Sequence, residues 1–215
     1  MKNFISNNKV FLLLYALFLV VGALLIARYE KGNEILLFNQ LHTPFFDQFF
    51  KYVTKMAEAP MFFLIIIVAI RFSYGKGILL ALNSLLVFAI TALLKFVPFA
   101  NYVRPAVFFE GKTQLNFVQG VEIYRYNSFP SGHTSSAFAL FFMLSIFVKD
   151  KKWAPVFFLL ALSVGVSRVY LLEHFFHDVY AGSVLGVCTT AAFYLTFAES
   201  EFYKRIVWKD KALWP

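Results

Sequence analysis

Six stretches of this chain, residues 10–27, 59–70, 77–94, 134–148, 153–166 and 179–198, contain no charged residue, and charged or turn-forming segments separate them. No other feature restricts the fold as much. A spanning helix needs roughly 20 mostly apolar residues, fewer where the flanks adapt to a thinner bilayer. The second, fourth and fifth runs are short, but each can lengthen: Arg71 and Lys149 can snorkel, and residues 131–133 can begin a helix before the apolar run starts. The expectation is an all-α bundle of six transmembrane helices forming one domain over residues 1–215. Composition agrees, because 60% of the residues are hydrophobic and only 15% charged, unlike a soluble globular chain. The first run leads directly into Arg28-Tyr29-Glu30 without a small-residue cleavage site, so it reads as a retained helix and not a signal peptide. Cys188 lies inside the last run and reads as a buried, small hydrophobe.

Lysine and arginine set the orientation. The terminal segments and the loops at 71–76 and 149–152 hold eleven basic residues in 36 positions, against nine in 82 for the other set of loops. Both termini are therefore expected in the cytoplasm, with Lys149-Asp150-Lys151-Lys152 as the strongest signal. The net charge of +8 is spread over short loops, which fits topology better than a nucleic-acid stripe. Between the first two spans, Phe45, Phe46, Phe49, Phe50, Val53 and Met56 recur at helical spacing after Thr43-Pro44, a cap and first helical residue. This segment is expected to be an amphipathic helix along the outer interface, with an ordinary loop helix as the alternative.

Three polar clusters fall in the outward set: Lys95 with Arg104-Pro105; Ser128-Phe129-Pro130-Ser131-Gly132-His133; and Ser167-Arg168 with His174 and Asp178. Polar groups beside a bilayer need partners or a task. Phosphoryl transfer is one, since its transition state spreads negative charge over equatorial oxygens and calls for cations and aimed N–H donors. Arg104, Arg168 and Lys95 supply cations, while Ser131 and the Gly132 amide at a helix start supply donors. His174 is the candidate nucleophile. Asp178, four residues on, reaches the same helical face and orients its ring, which leaves His133 as the general acid. His177 reads as a plain interfacial histidine, and Glu173 as solvated surface by default, with electrostatic shaping of the site as the alternative. Ser167 either orients substrate or caps a helix. Gly182 and Gly186 form a small-xxx-small pair that argues close helix packing.

These motifs resemble the type-2 phosphatidic acid phosphatase superfamily, whose signature reads K-x6-R-P, P-S-G-H and S-R-x5-H-x3-D. The second part stands here as Pro130-Ser131-Gly132-His133, and the third as Ser167-Arg168, five residues, His174, three residues, Asp178. The first departs, because Lys95 precedes Arg104 by nine positions where the family has seven. An unbroken helix would set them on opposite faces, so Pro98 is expected to break it. The resemblance covers about residues 40–198. It implies a six-helix membrane core, a phosphohistidine on His174, and neither metal nor cofactor.

A site between helix ends at the outer interface suits a headgroup whose chains stay in the bilayer. The expected reaction is hydrolysis of a lipid phosphate or diphosphate, such as undecaprenyl diphosphate, phosphatidylglycerophosphate, phosphatidic acid or a lipid A phosphate. The expected setting is a bacterial inner membrane, with the site facing the periplasm or exterior. Specificity would reside in the 105–127 loop, which carries Phe108, Phe109, Lys112, Tyr124, Arg125 and Tyr126. Transfer of the phosphate to a second lipid would use the same motifs, and a phospholipid or ion transporter is the reading from another class. No nucleic-acid partner is expected, and the sequence fixes no oligomeric state.

Overall fold

A computed structural model describes residues 2–212. Residue 1 and residues 213–215, which the expected single domain and the basic C-terminal segment include, lie outside the described residues. All regular structure among the described residues is helical. The helices are α1 (Lys2–Asn7), α2 (Lys9–Arg28), α3 (Asn33–Gln40), α4 (Pro44–Val53), α5 (Ala59–Phe72), α6 (Tyr74–Phe96), α7 (Pro105–Phe108), α8 (Gly132–Phe147), α9 (Ala154–Tyr170), α10 (Phe176–Phe193) and α11 (Glu201–Lys204).

All six apolar runs are helical. Among the described residues, four segments, Lys9–Arg28, Tyr74–Phe96, Lys151–Tyr170 and Phe176–Ala198, are long and apolar enough to cross a bilayer. Pro44–Ala57 and Ala59–Phe72 add a fifth if their 55° bend falls within one span. Helix α8 is apolar but has 16 residues, about 24 Å of helix at 1.5 Å per residue.

Burial runs opposite to what a water-soluble bundle would show. Helix α8 is the innermost element, with ten of its residues buried, whereas α2 buries three and α5 none. The outer helices display Leu13, Leu17, Phe63, Ile67 and Phe88, apolar surface that is unfavourable in water and natural in lipid. Cys188 belongs to this outer surface: it is exposed, not buried as its apolar run suggested. A run that is apolar all round does not reveal which of its faces meets protein.

Small residues bring α10 against α8. A Cβ on Gly182 would sit 2.6 Å from the Ser131 carbonyl oxygen, and one on Gly186 closer still to that of Ser135, so the small-xxx-small pair does mark close backbone contact. Polar pairs add cross-links: Asn83 Nδ2 donates to Thr190 Oγ1 at 3.0 Å between α6 and α10, and the Tyr15 and Ser183 hydroxyls lie 3.3 Å apart between α2 and α10. At the start of α4, Thr43 accepts from the Phe46 amide and Pro44 takes the first turn. Phe45, Phe46 and Phe49 are exposed, while Phe50 packs on Tyr170 with centroids 4.5 Å apart. Tyr170 in turn donates to Asp47 at 2.6 Å, which docks α4 on the end of α9.

Candidate active site

The site is built around the turn that ends α9. The Leu172 amide donates to the Val169 carbonyl at 3.0 Å, and the amides of Glu173 and His174 both donate to the Arg168 carbonyl, at 3.0 and 3.1 Å. This is a Schellman closure, with Leu172 at φ 59° in the left-handed position that glycine usually fills. Leu172 is buried among Ile35, Phe109, Val169, Phe175 and Val179, and that packing holds it there. The five residues between Arg168 and His174 are thus the turn itself.

Helix α10 begins two residues later, with Asp178 in its first turn. Asp178 Oδ2 accepts from the Phe175 amide at 3.0 Å and from the Ser128 hydroxyl. His174 is 1% exposed, and its Nδ1 lies 3.5 Å from Asp178 Oδ2. Neither His174 Nδ1 nor Asp178 Oδ1 has a hydrogen-bond partner among the described residues. The two groups therefore face each other at a distance longer than a hydrogen bond. Asp178 Oδ1 is 3.8 Å from Nε2 of His177, so the histidine taken as plain interface borders the same carboxylate.

The Pro130-Ser131-Gly132-His133 segment starts α8. Ser131 is its N-cap, fully buried, and its Oγ accepts from the Thr134 amide at 3.4 Å and the Thr134 hydroxyl at 2.9 Å. The Ser131 amide donates to the Asp178 carbonyl at 3.0 Å, which ties this turn to the start of α10. Ser131 is therefore already occupied as a cap, while Gly132 and His133 are half-buried in the first turn, where helical N–H groups favour an anion.

Two of the cations arrive from other segments, and the third, Arg168, from the α9 turn itself. Helix α6 stops at Phe96, one residue after Lys95 and two before Pro98, so the nine-residue spacing never runs as continuous helix. Lys95 Nζ donates to the Asn127 carbonyl at 2.7 Å, and its Cε lies 3.6 Å from where a Cβ would stand on Gly132. Arg104 is held by the Tyr126 carbonyl at 2.9 Å and the Glu173 carbonyl at 3.2 Å, with Tyr124 under its guanidinium at 5.0 Å. Arg168 donates from Nη1 to Thr54 at 2.7 Å, while its buried Nε has no partner among the described residues.

Glu173 overturns its reading as solvated surface. It is 2% exposed, and its Oε2 takes both Arg104 Nη1 and Arg168 Nη2, the latter at 3.4 Å. One partner, Arg168, is five residues away, but the other, Arg104, comes from 69 residues away, and the default surface reading missed it. Thr54 and Ser128, to which the sequence assigned no role, hold Arg168 and Asp178.

The electrostatics favour an uncharged His174 imidazole beside a cluster of cationic side chains. Burial, followed by the charges of Arg104, Lys95 and Arg168, holds His174 well below the usual imidazole range. Burial raises Glu173 above the usual carboxylate range, against the pull of Arg168 and Arg104. Burial also lowers Arg104, opposed by Glu173. With Nδ1 facing Asp178, the neutral ring would carry its proton there and leave the Nε2 lone pair available. Among the described residues, no three His, Cys, Asp or Glu side chains form a group able to hold a metal ion.

Membrane-length apolar helices, enclosing a buried histidine and aspartate beside two arginines and a lysine, define an integral membrane protein with a buried cationic site. The family model for the PAP2 superfamily matches residues 76–202, and the chain belongs to that superfamily. Lipid A 4'-phosphatase of Bacteroides thetaiotaomicron is 28% identical over 159 residues, 71% of this chain and 70% of that protein. The bacitracin transport permease protein BcrC of Bacillus licheniformis is 35% identical over 81 residues, and the match spans 38% of this chain and 39% of that one. The crystal structure of Aquifex aeolicus LpxE superposes with a TM-score of 0.67 at 26% identity, covering 78% of this chain and 96% of that one.

Proposed function

We propose that the protein is a lipid phosphatase that hydrolyses a phosphate or diphosphate monoester through a phosphohistidine on His174, without metal or cofactor. One observation carries this reading: Lys95, Arg104 and Arg168, from separate segments, bear on a single buried histidine that faces Asp178. In the first step His174 Nε2 attacks phosphorus, the N–P bond forms as the P–O bond to the leaving group breaks, and His133 gives that oxygen its proton. In the second step water attacks the phosphohistidine, His133 takes the water's proton, and inorganic phosphate leaves. Asp178 keeps the His174 proton on Nδ1 and offsets the positive charge that develops on the ring. Arg104, Arg168, Lys95 and the Gly132 amide are assigned to the phosphate oxygens, while Ser131, expected as a donor, caps the helix that presents that amide.

The chain is read as one domain of six spans, with α8 as the short fourth span and α4 along the outer interface. The charge distribution supports cytoplasmic termini and a site facing the periplasm or exterior of a bacterial inner membrane. Substrates are lipids whose chains remain in the bilayer, and the lipid A phosphatase relative supports a lipid A phosphate as the first to try. The bacitracin permease relative gives the transporter reading its one supporting observation, and that reading demands lipid movement without phosphate release. The deciding assay uses purified protein in detergent with EDTA, a panel of lipid phosphates and diphosphates, and His174→Ala in parallel. Release of inorganic phosphate by the wild type alone supports the proposal. A metal requirement, or undiminished release by His174→Ala, refutes it.

A further inference from the structure

Glu173 stands apart from the other charged groups at the site. Both arginines assigned to phosphate direct a donor to the same oxygen, Oε2, with Arg104 Nη1 and Arg168 Nη2 converging on it. The arrangement is that of a guanidinium pair around an anion, and here the anion belongs to the protein. No other carboxylate meets these guanidiniums in a salt bridge among the described residues, since Asp178 is engaged by Ser128, Phe175 and the two histidines. Elsewhere Arg104 donates from Nε to the Tyr126 carbonyl and from Nη1 to the Glu173 carbonyl, and Arg168 from Nη1 to Thr54, while the buried Arg168 Nε has no partner among the described residues. Every phosphate oxygen bound by these arginines is thus bound against the field of a neighbouring carboxylate.

We propose that Glu173 is the resident counter-anion of the site, weakening the hold of Arg104 and Arg168 on inorganic phosphate so that the product departs. The inference rests on the phosphatase reading and concerns its last step. The hydrolysed product is held by the same cations as the substrate but has lost the lipid chains that bind elsewhere. A fully uncompensated cluster of two arginines and a lysine would retain it. Interactions that hold substrate, transition state and product alike do not accelerate turnover, and a carboxylate within the cluster reduces that common attraction. Removing it leaves two buried guanidiniums short of a partner, a costly condition that an incoming phosphate relieves.

The test measures binding of inorganic phosphate to the full chain in detergent by calorimetry, for the wild type, Glu173→Gln and Glu173→Ala. The alanine variant removes the charge without placing an amide N–H against the arginines. Both variants are expected to bind phosphate at least tenfold more tightly, and the inhibition constant of phosphate in the release assay should fall by the same factor. General damage to the site would weaken binding, so the direction of change separates the two causes. Binding unchanged or weakened in a folded variant overturns the proposal. Loss of folding in both variants also overturns it, by making Glu173 a structural clamp. If the wild type binds phosphate but releases none from any lipid, the phosphatase reading fails while the binding comparison still judges Glu173.

Discussion

Replacing Gly182 with alanine should damage activity by moving two backbones apart. The added Cβ would stand 2.6 Å from the Ser131 carbonyl oxygen and 3.3 Å from Ser135 Oγ and Thr134 Cβ. Ordinary contact begins near 3.4 Å, so α10 and the start of α8 must separate by roughly 0.8 Å. The closest atom is main chain, and no side-chain rotation relieves it. Overpacking of this kind costs about 1–3 kcal/mol, and each kcal/mol corresponds to about 2–4 °C in melting midpoint for a chain of this length. The same seam carries the Ser131 amide bond to the Asp178 carbonyl at 3.0 Å, so the separation would also shift His133 relative to His174. Misplacement on the order of 1 Å can lower a rate about 100-fold. Thermal unfolding in detergent, combined with phosphate release at saturating lipid, reads both effects. Gly186→Ala is the comparison: its clash with the Ser135 carbonyl is tighter but lies one turn further from the site, so it should destabilise at least as much while lowering kcat less. Wild-type stability and rate in Gly182→Ala would refute this reasoning, as would a larger rate loss in Gly186→Ala.

Asp178→Asn should lower kcat by about 10²–10⁴-fold, the range expected when the group orienting a catalytic histidine is neutralised, with KM changed far less; a KM effect alone would contradict the orienting role. Stability should fall as pH drops below about 6.5, the unfolded imidazole value. His174 is held neutral in the fold but takes a proton when unfolded, so in that window the unfolded state binds more protons. The loss approaches about 1.4 kcal/mol per pH unit for this one group, and the pH dependence of the melting midpoint should flatten in His174→Gln. A cysteine placed at Asp150 should react with an impermeant thiol reagent only from the cytoplasmic side, Cys188 having been replaced first because it is exposed; labelling from outside would reverse the orientation.

The parts of the site that were legible in the sequence are those encoded locally. His174 lies two residues before α10 and Asp178 in its first turn, with Phe175 extended between them, so the two meet across the helix start and not on one helical face as expected; the spacer after Arg168 is a single Schellman turn, and both short separations survive in linear spacing. Lys95 was ambiguous because its reach depends on where α6 ends, and the helix stops at Phe96, before Pro98. Glu173 was placed on the surface by default because Arg104, one of the two arginines that meet its carboxylate, lies 69 residues away. Ser128 escaped assignment for the same reason, since its partner Asp178 lies 50 residues on. The six apolar runs located every membrane-length helix, but their lengths did not decide how the 55° bend between Pro44–Ala57 and Ala59–Phe72 should be counted. Cys188 shows that a run apolar on all sides conceals which face meets protein.

The central claim is a covalent phosphate on His174. Wild-type protein mixed with a hydrolysable lipid phosphate, quenched within the first turnover under alkaline conditions that preserve phosphohistidine, and mapped by peptide mass spectrometry should carry one phosphoryl group on His174. The label should be absent in His174→Ala, which should release no phosphate. A phosphoryl group on another residue, or full turnover by His174→Ala, would contradict the account.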